Sequence, residues 1–490
     1  MKEKSINKSA TKGVTWNLAN RLVSNLGQLT IYFVLARLLS PGDFGIIAIL
    51  GVFVNLSRVF GNAGLGSSII QDGKFDQEKF SSIFTSSLVI SLLIGILMYF
   101  IAPFISSFYS EVEDLTFYIR LSIPTIIFGT LNSIQISVLQ RDLNFKAIFF
   151  STTIPIIISG IISIIMAYYG FGILSLLVNA FLCSFISFIY CFLVYVKIPK
   201  LHIKSVIVKK SLNFSYKILL SSLLEEINRG VFVLLVGMKF GKSVLGNYNM
   251  GRQVPGFITS TINATAASVL FPYYSRLEIT NQEMSILYRK ILMVLNFLII
   301  PFIFLVFLIS ENLVLLIFTE KWVDSIYFFN MFSIILGVHH VHTNVTYYLN
   351  SVGLSNVTLK YDFIKKALGI LILIVTIPFG INMVVIGQLS AAILSVLIMA
   401  FPTKKYLNLS FFTQFVDLFE IITLNFVVFL MIYSFDIFIE VGYFSILLYP
   451  ILYLVLYVTI SYFFKLKSYQ ATIIILKNFL GDNLRFKSIK

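Results

Sequence analysis

The chain has 490 residues, of which 58% are hydrophobic and only 12% charged, with a formal net charge of +15. That balance excludes an ordinary soluble enzyme and a disordered acidic or basic tail protein, and it points to a polytopic helical membrane protein. The positive charge does not imply nucleic acid, because most of the Lys and Arg residues fall in loops on one side of the expected membrane.

Apolar runs long enough to cross a hydrocarbon core of ~30 Å recur fourteen times. They cover about 14–39, 44–66, 80–104, 115–139, 148–169, 173–196, 214–238, 244–272, 290–310, 327–349, 358–378, 383–402, 413–434 and 441–464. The polar stretch before Gly13 leads straight into a full-length span and offers no small-residue cleavage site, so no cleavable signal peptide is expected. Lysines in the N-terminal tail, the middle loop (Lys197 to Lys210) and the C-terminal tail place both termini in the cytoplasm by the positive-inside rule.

The first span carries Asn17, Arg21, Asn25 and Gln28 at intervals of four, four and three, a narrow polar stripe on one helix face. The second repeats the pattern with Asn55, Arg58 and Asn62. The sixth span holds both cysteines, Cys183 and Cys191, without metal-ligand spacing, and they read as small buried hydrophobes. In the seventh, Ser221, Glu225 and Asn228 share a face, with Arg229 in i,i+4 reach of Glu225. Tyr248 and Arg252 stand one turn apart in the eighth. The tenth contains His339, His340 and His342; no two lie at i,i+4 and no carboxylate is near, so metal binding is not expected, and the cluster reads as cavity lining with proton coupling or gating, or as plain packing.

With Arg120 and Lys217, six cations lie inside apolar segments. A charge at mid-membrane costs about 2.5–3.5 kcal/mol on the insertion scale, so such residues normally face a cavity. The cations outnumber the clear intramembrane anions, Glu225 and Glu226, and an anionic guest follows. Each feature has a plainer alternative: amides bond neighbouring helices, Arg229 neutralises Glu225, and Arg120 and Lys217 snorkel from span ends.

A shift of 201 residues lays Phe33–Gly45 over Leu234–Gly246 and Asn62 over Asn263. Six spans precede the basic middle loop and six follow it. Three regions result: an N-terminal lobe 1–200, a C-terminal lobe 201–402, and an accessory pair of helices with a basic tail, 403–490. The fold class is therefore all-α and membrane-embedded, with two pseudo-symmetric six-helix lobes around a central cavity plus two C-terminal helices. Arg21, Arg58 and Arg252 meet no cation under the shift, so the cavity is expected to be charged asymmetrically. No catalytic residues, cofactor or metal are expected, since no nucleophile–base pair or P-loop stands at informative spacing.

The stretches Ala36–Gly45 and Ala63–Gln71 resemble polysaccharide-biosynthesis flippases of the Wzx type, and Leu139–Lys146 is similar to their colanic-acid-exporter branch. The resemblance implies the multidrug/oligosaccharidyl-lipid/polysaccharide exporter superfamily. It also implies a bacterial inner-membrane flippase for an undecaprenyl-pyrophosphate-linked oligosaccharide in capsule, O-antigen or lipopolysaccharide assembly. Arg21, Arg58 and Arg252 would then meet the pyrophosphate, while Asn17, Asn25, Gln28, Asn55 and Tyr248 bond the sugar. Glu225, Arg229, His339 and His342 would couple or gate. Expected partners are the lipid-linked substrate, membrane lipids, and a polysaccharide polymerase with its chain-length machinery. Competing readings are an ion-coupled multidrug exporter of the same superfamily, which requires an acidic pocket, and a membrane glycosyltransferase or polymerase, which requires catalytic acids or a large loop.

Overall fold

The computed structural model describes the backbone of residues 2–62, 64–71, 76–195, 199–277, 280–438 and 442–480. The described residues are almost entirely helical, and each of the fourteen expected spans coincides with a helix or part of one. Among the described residues, nine helices are long and apolar enough to cross a membrane on length and composition alone. The chain forms two compact units, Met1–Asn249 and Met250–Lys490.

The first unit begins with α1 (Lys2–Leu38), α2 (Pro41–Asn62) and the short α3 (Leu65–Ile70). It continues through α4 (Gln77–Ser106), α5 (Leu115–Arg141), α6 (Phe145–Tyr168) and α7 (Ile173–Val194). A long helical run, α8 (Ser205–Arg276), then enters it, broken at Gly241, whose φ of 82° and ψ of 171° interrupt the helix. Asp76 caps α4 by accepting from the amides of Glu78 and Lys79, and Asn144 caps α6 through Ala147. Helix α1 packs on α6, α5 on α2, α4 and α7, and α7 on α6. Ile83, Leu131 and Ile134 anchor the core among these helices. The middle loop is tied down by Lys200 and Lys204, whose backbone amides donate to Ser81 and Ser82, while the Lys204 side chain pairs with Glu78.

Helix α2 runs antiparallel to the first part of α8. Gly64 lies at Ser215, Val52 at Gly230, and Ile49 at Gly237. The crossing is tightest where α2 begins. A Cβ built on Gly45 would stand 1.8 Å from the Lys242 carbonyl oxygen, and one on Gly246 would stand 1.8 Å from that of Pro41. The 201-residue shift maps Pro41 onto Lys242 and Gly45 onto Gly246, so the contact is reciprocal between repeat-related positions.

The second unit contains the rest of α8, then α9 (Asn281–Phe318), α10 (Ser325–Ser351), α11 (Ser355–Thr376) and α12 (Ile381–Leu407). It ends with α13 (Phe411–Phe438), α14 (Ser445–Phe463) and a further helix, α15 (Lys467–Leu480). A capping box between Thr280 and Glu283 starts α9, and those hydrogen bonds hold the exposed Glu283 carboxyl below its usual range. Helix α12 packs on α10 and α11, while α13, α14 and α15 all pack on α9.

The accessory helices are fastened by a polar ladder. On α14 the buried residues Ser445, Tyr449, Tyr453, Tyr457 and Ser461 recur every four positions on one face. Ser445 accepts from Asn312, Tyr449 bonds Asp436, Tyr453 donates to Asn425 at 2.8 Å, and Tyr457 donates to the Phe297 carbonyl at 3.0 Å. The polar face of this pair is thereby committed to α9 and α13.

A second fastening is the two-pronged ion pair of Arg289 on α9 with Asp417 on α13, whose side chain is 7% exposed. Asp417→Asn keeps the shape but removes the charge assistance. It is expected to cost about 1.5 kcal/mol, read as a lower thermal midpoint of the purified protein in detergent with unchanged expression.

A polar pocket in the first unit

Within the first unit α1, α2, α5, α6 and α7 surround a pocket of about 320 Å³. Helix α1 supplies one wall with Arg21, Asn25 and Gln28, together with Asn20 and Ser24. The stripe at intervals of four and three thus does share a face, as helical geometry requires. Arg58 enters from α2 opposite Gly129 of α5.

Gly129 explains how a guanidinium fits between closely packed helices. A Cβ there would lie 3.0 Å from both Nε and Nη2 of Arg58, tighter than a side chain tolerates without displacing the arginine. The Arg58 Nε is buried and has no hydrogen-bond partner. A buried unpaired donor on a cation is costly, and a binding site is one of the few settings in which it persists.

The remaining wall is neutral, with Ser, Thr and Asn side chains set beside Pro155 and Ile156. Asn132 donates to Ser187 at 2.8 Å, and Ser187 donates to the Ser151 carbonyl at 2.7 Å, which fixes the amide. Thr152 donates to the carbonyl oxygen of the Asn20 side chain, tying α6 to α1. Cys183, Ser184, Pro155 and Ile156 complete the lining, and no Asp or Glu belongs to it among the described residues. Two arginines, several amides and hydroxyls, and no carboxylate make a surface that accepts an oxyanion bearing hydroxyl groups.

Four of the residues expected at a substrate site therefore meet in one pocket: Arg21, Asn25, Gln28 and Arg58. Asn55, one turn from Arg58, is exposed and outside it. Tyr248 is fully buried within the first unit. Arg252 lies in the second unit, with its guanidinium carbon 5.9 Å from the centre of the Phe332 ring. Arg229 is half-exposed and pairs with both Glu225, at 3.7 Å, and Glu226, at 3.6 Å. Arg120 sits over the Tyr99 ring at 4.1 Å and donates to its carbonyl. His339 is exposed. The side chains of Asn17, Lys217 and His342 fall outside the described residues.

Sequence reasoning missed Asn20, Ser24, Gly129, Asn132, Thr152, Ser184 and Ser187. Asn20 and Ser24 were within reach, because each precedes a stripe residue by one position and widens the same face. Cys183 turns out to line the pocket, whereas Cys191 is buried as expected.

A family model described as "Polysaccharide biosynthesis protein" matches residues 34–327. An uncharacterized membrane protein of the cps region of Klebsiella pneumoniae is 25% identical over 440 residues, covering 86% of this chain and 89% of its own. The succinoglycan biosynthesis transport protein ExoT of Rhizobium meliloti is 23% identical, covering 73% and 72%. The lipopolysaccharide biosynthesis protein WzxC of Escherichia coli is 20% identical, covering 65% of each chain. Among solved structures, the lipid II flippase MurJ in an inward closed conformation superposes with a TM-score of 0.75 at 16% identity, covering 93% of this chain and 99% of that one. An inward-facing multidrug resistance MATE transporter gives 0.60 at 15% identity, covering 80% and 99%. The fold is thus the one shared by MurJ and the MATE transporters, as the sequence motifs implied. On the family match over more than half its length, this chain belongs to the polysaccharide biosynthesis protein family and is a multi-pass membrane protein.

Proposed function

We propose that this protein is a flippase that carries an undecaprenyl-pyrophosphate-linked oligosaccharide repeat unit across the bacterial cytoplasmic membrane by alternating access, for surface polysaccharide assembly. The observation that carries this reading is the acid-free pocket holding Arg21 and Arg58 among amides and hydroxyls. Phosphate oxygens would take the planar guanidinium donors, and the sugar hydroxyls would take Asn25, Gln28 and their neighbours. The names of WzxC, ExoT and MurJ support the same substrate class.

In this reading the lobes are 1–200 and 201–402, with 403–490 accessory, and both termini face the cytoplasm. Arg252 adds a third cation from the second lobe, Asn17, Asn55 and Tyr248 add sugar contacts in other states of the cycle, and Glu225, Arg229, His339 and His342 gate or couple. A polymerase and its chain-length partner would receive the product. The process is transport without covalent chemistry. A multidrug exporter of the MATE kind would need carboxylates for cationic drugs, and the pocket offers none among the described residues.

Deletion of the gene tests this reading. Mass spectrometry of extracted lipids is expected to show an undecaprenyl-pyrophosphate-linked repeat unit accumulating, protected from external glycosidases in intact spheroplasts. An unchanged lipid pool together with altered resistance to cationic drugs would favour the multidrug exporter instead.

A further inference from the structure

His340 on α10 is 1% exposed, deep inside the second unit. Its Nδ1 bonds the side-chain oxygen of Asn263 on α8, and Tyr347 donates to the Asn263 backbone carbonyl at 3.1 Å. An amide oxygen only accepts, so Nδ1 carries the proton and Nε2 presents its lone pair. That Nε2 is buried without a partner. One helical turn on, Asn344 is also 1% exposed, and neither its amide nitrogen nor its oxygen has a partner. A basic nitrogen and an unpaired amide therefore share one face of α10, closed off from solvent.

The surroundings isolate this imidazole. The facing stretches of α8 (255–267), α9 (291–303) and α12 (381–400) contain no titratable side chain. Helix α11 has Lys360, Tyr361, Asp362, Lys365 and Lys366 in its first three turns, with Lys365 paired to Asp362. On α10 itself the other titratable groups are Tyr327, His339, His342, Tyr347 and Tyr348, with His339 the immediate neighbour. Tyr274 and Tyr288 lie in the adjoining apolar cluster.

From this arrangement we propose that His340, Asn263 and Asn344 form a proton-binding site whose occupancy alters how α8 packs on α10. The amide of Asn344 suits both states. Through a bridging water its nitrogen can donate toward Nε2 when the ring is neutral, and after rotation its oxygen can accept from Nε2–H when the ring is charged. Proton uptake adds a full charge to a site with no counter-ion, so the protonated site favours a conformation in which water or an anion reaches it. The role in energising transport rests on the flippase reading, but the site itself does not.

The test needs no substrate. The full chain contains four histidines, so isotope-labelled histidine in lipid nanodiscs gives a spectrum in which the signal lost in His340→Gln identifies this ring. It is expected to pass from one neutral tautomer to the doubly protonated ring as the pH is lowered. Asn344→Asp should raise the midpoint by about one to three pH units, and Asn344→Leu should lower it. Hydrogen exchange of 336–348 and 259–267, corrected for intrinsic rates, should shift across the wild-type midpoint and not in His340→Gln. A His340 ring that keeps one neutral tautomer throughout, or a midpoint indifferent to both Asn344 variants, overturns the proposal in favour of a static water-bridged network. Unchanged exchange across the midpoint overturns the packing switch. If this site titrates as expected while the chain moves no lipid-linked sugar, the flippase reading fails and the proton site stands.

Discussion

Arg58→Ala is expected to abolish complementation of a deletion strain while leaving the protein at normal level in the membrane. The Arg58 guanidinium is held between helices with its Nε unpaired, so a bond from that nitrogen to a bound oxyanion replaces no existing internal bond. Truncating one partner of a buried charge pair costs about 2–5 kcal/mol, and even a value near 2.8 kcal/mol lowers affinity about 100-fold. Surface polysaccharide, measured by immunoblot against membrane-protein level, should fall accordingly. Arg58→Lys keeps the charge but loses the fork of donors, so an intermediate level is expected. Gly129→Ala should mimic a weak arginine variant, because the added methyl displaces the guanidinium without altering its charge. Full polysaccharide in Arg58→Ala cells would remove this arginine from the substrate site.

The second large effect is expected at the crossing of α2 with α8. Gly45→Ala and Gly246→Ala each place a methyl 1.8 Å from a backbone oxygen, and a carbonyl cannot rotate aside as a flexible side chain can. The helices must part, at a cost of about 3 kcal/mol for each substitution, the upper end of the range for overpacking. Because the contacts are reciprocal, one methyl opens the space that the other needs. The double variant should therefore lose clearly less than the sum of the two singles, a coupling typical of residues that share one backbone displacement. Thermal unfolding of the two singles and the double in detergent measures this. Additive losses would mean that the two glycines do not share one crossing.

The membrane spans were legible because the hydrocarbon core imposes a length and a polarity that hydropathy reads directly. Some helix ends followed closely, but α1 begins at Lys2 and α9 runs Asn281–Phe318, well beyond the expected 14–39 and 290–310, because a helix can continue past its apolar run; Gly241 marks where the seventh and eighth spans meet within one helical run. The tail helix α15 was not foreseen, since a basic stretch at the end of a chain reads as a solvated tail. The face of α1 bearing Arg21, Asn25 and Gln28 was legible for the same reason that any amphipathic face is: a fixed 100° step per residue.

Periodicity gives a face but not the neighbour that covers it. Asn55 and Arg58 lie one turn apart on α2, yet only Arg58 lines the pocket, and Tyr248 is covered completely. The opposite walls, built from Ser, Thr and Asn of α5, α6 and α7, left no sequence signal, because such residues recur on membrane helices wherever backbones approach closely. The histidine cluster shows the same limit. The sequence offers His339 and His342 for coupling or gating; in the structure His339 is exposed, the side chain of His342 lies outside the described residues, and the buried, hydrogen-bonded ring is His340. One position along a helix turns a side chain by about 100°, and only packing decides which of several neighbouring candidates faces inward.

The most direct test of the flippase account uses the purified protein in vesicles bearing an undecaprenyl-pyrophosphate-linked oligosaccharide with a fluorescent label on the sugar, scored by the fraction open to a membrane-impermeant quencher. Wild-type protein is expected to make the inner-leaflet label accessible within minutes, and an equal amount of Arg58→Ala protein is expected to leave it at the protein-free rate. A wild-type rate no faster than that of protein-free vesicles under an imposed pH gradient and membrane potential would contradict the account.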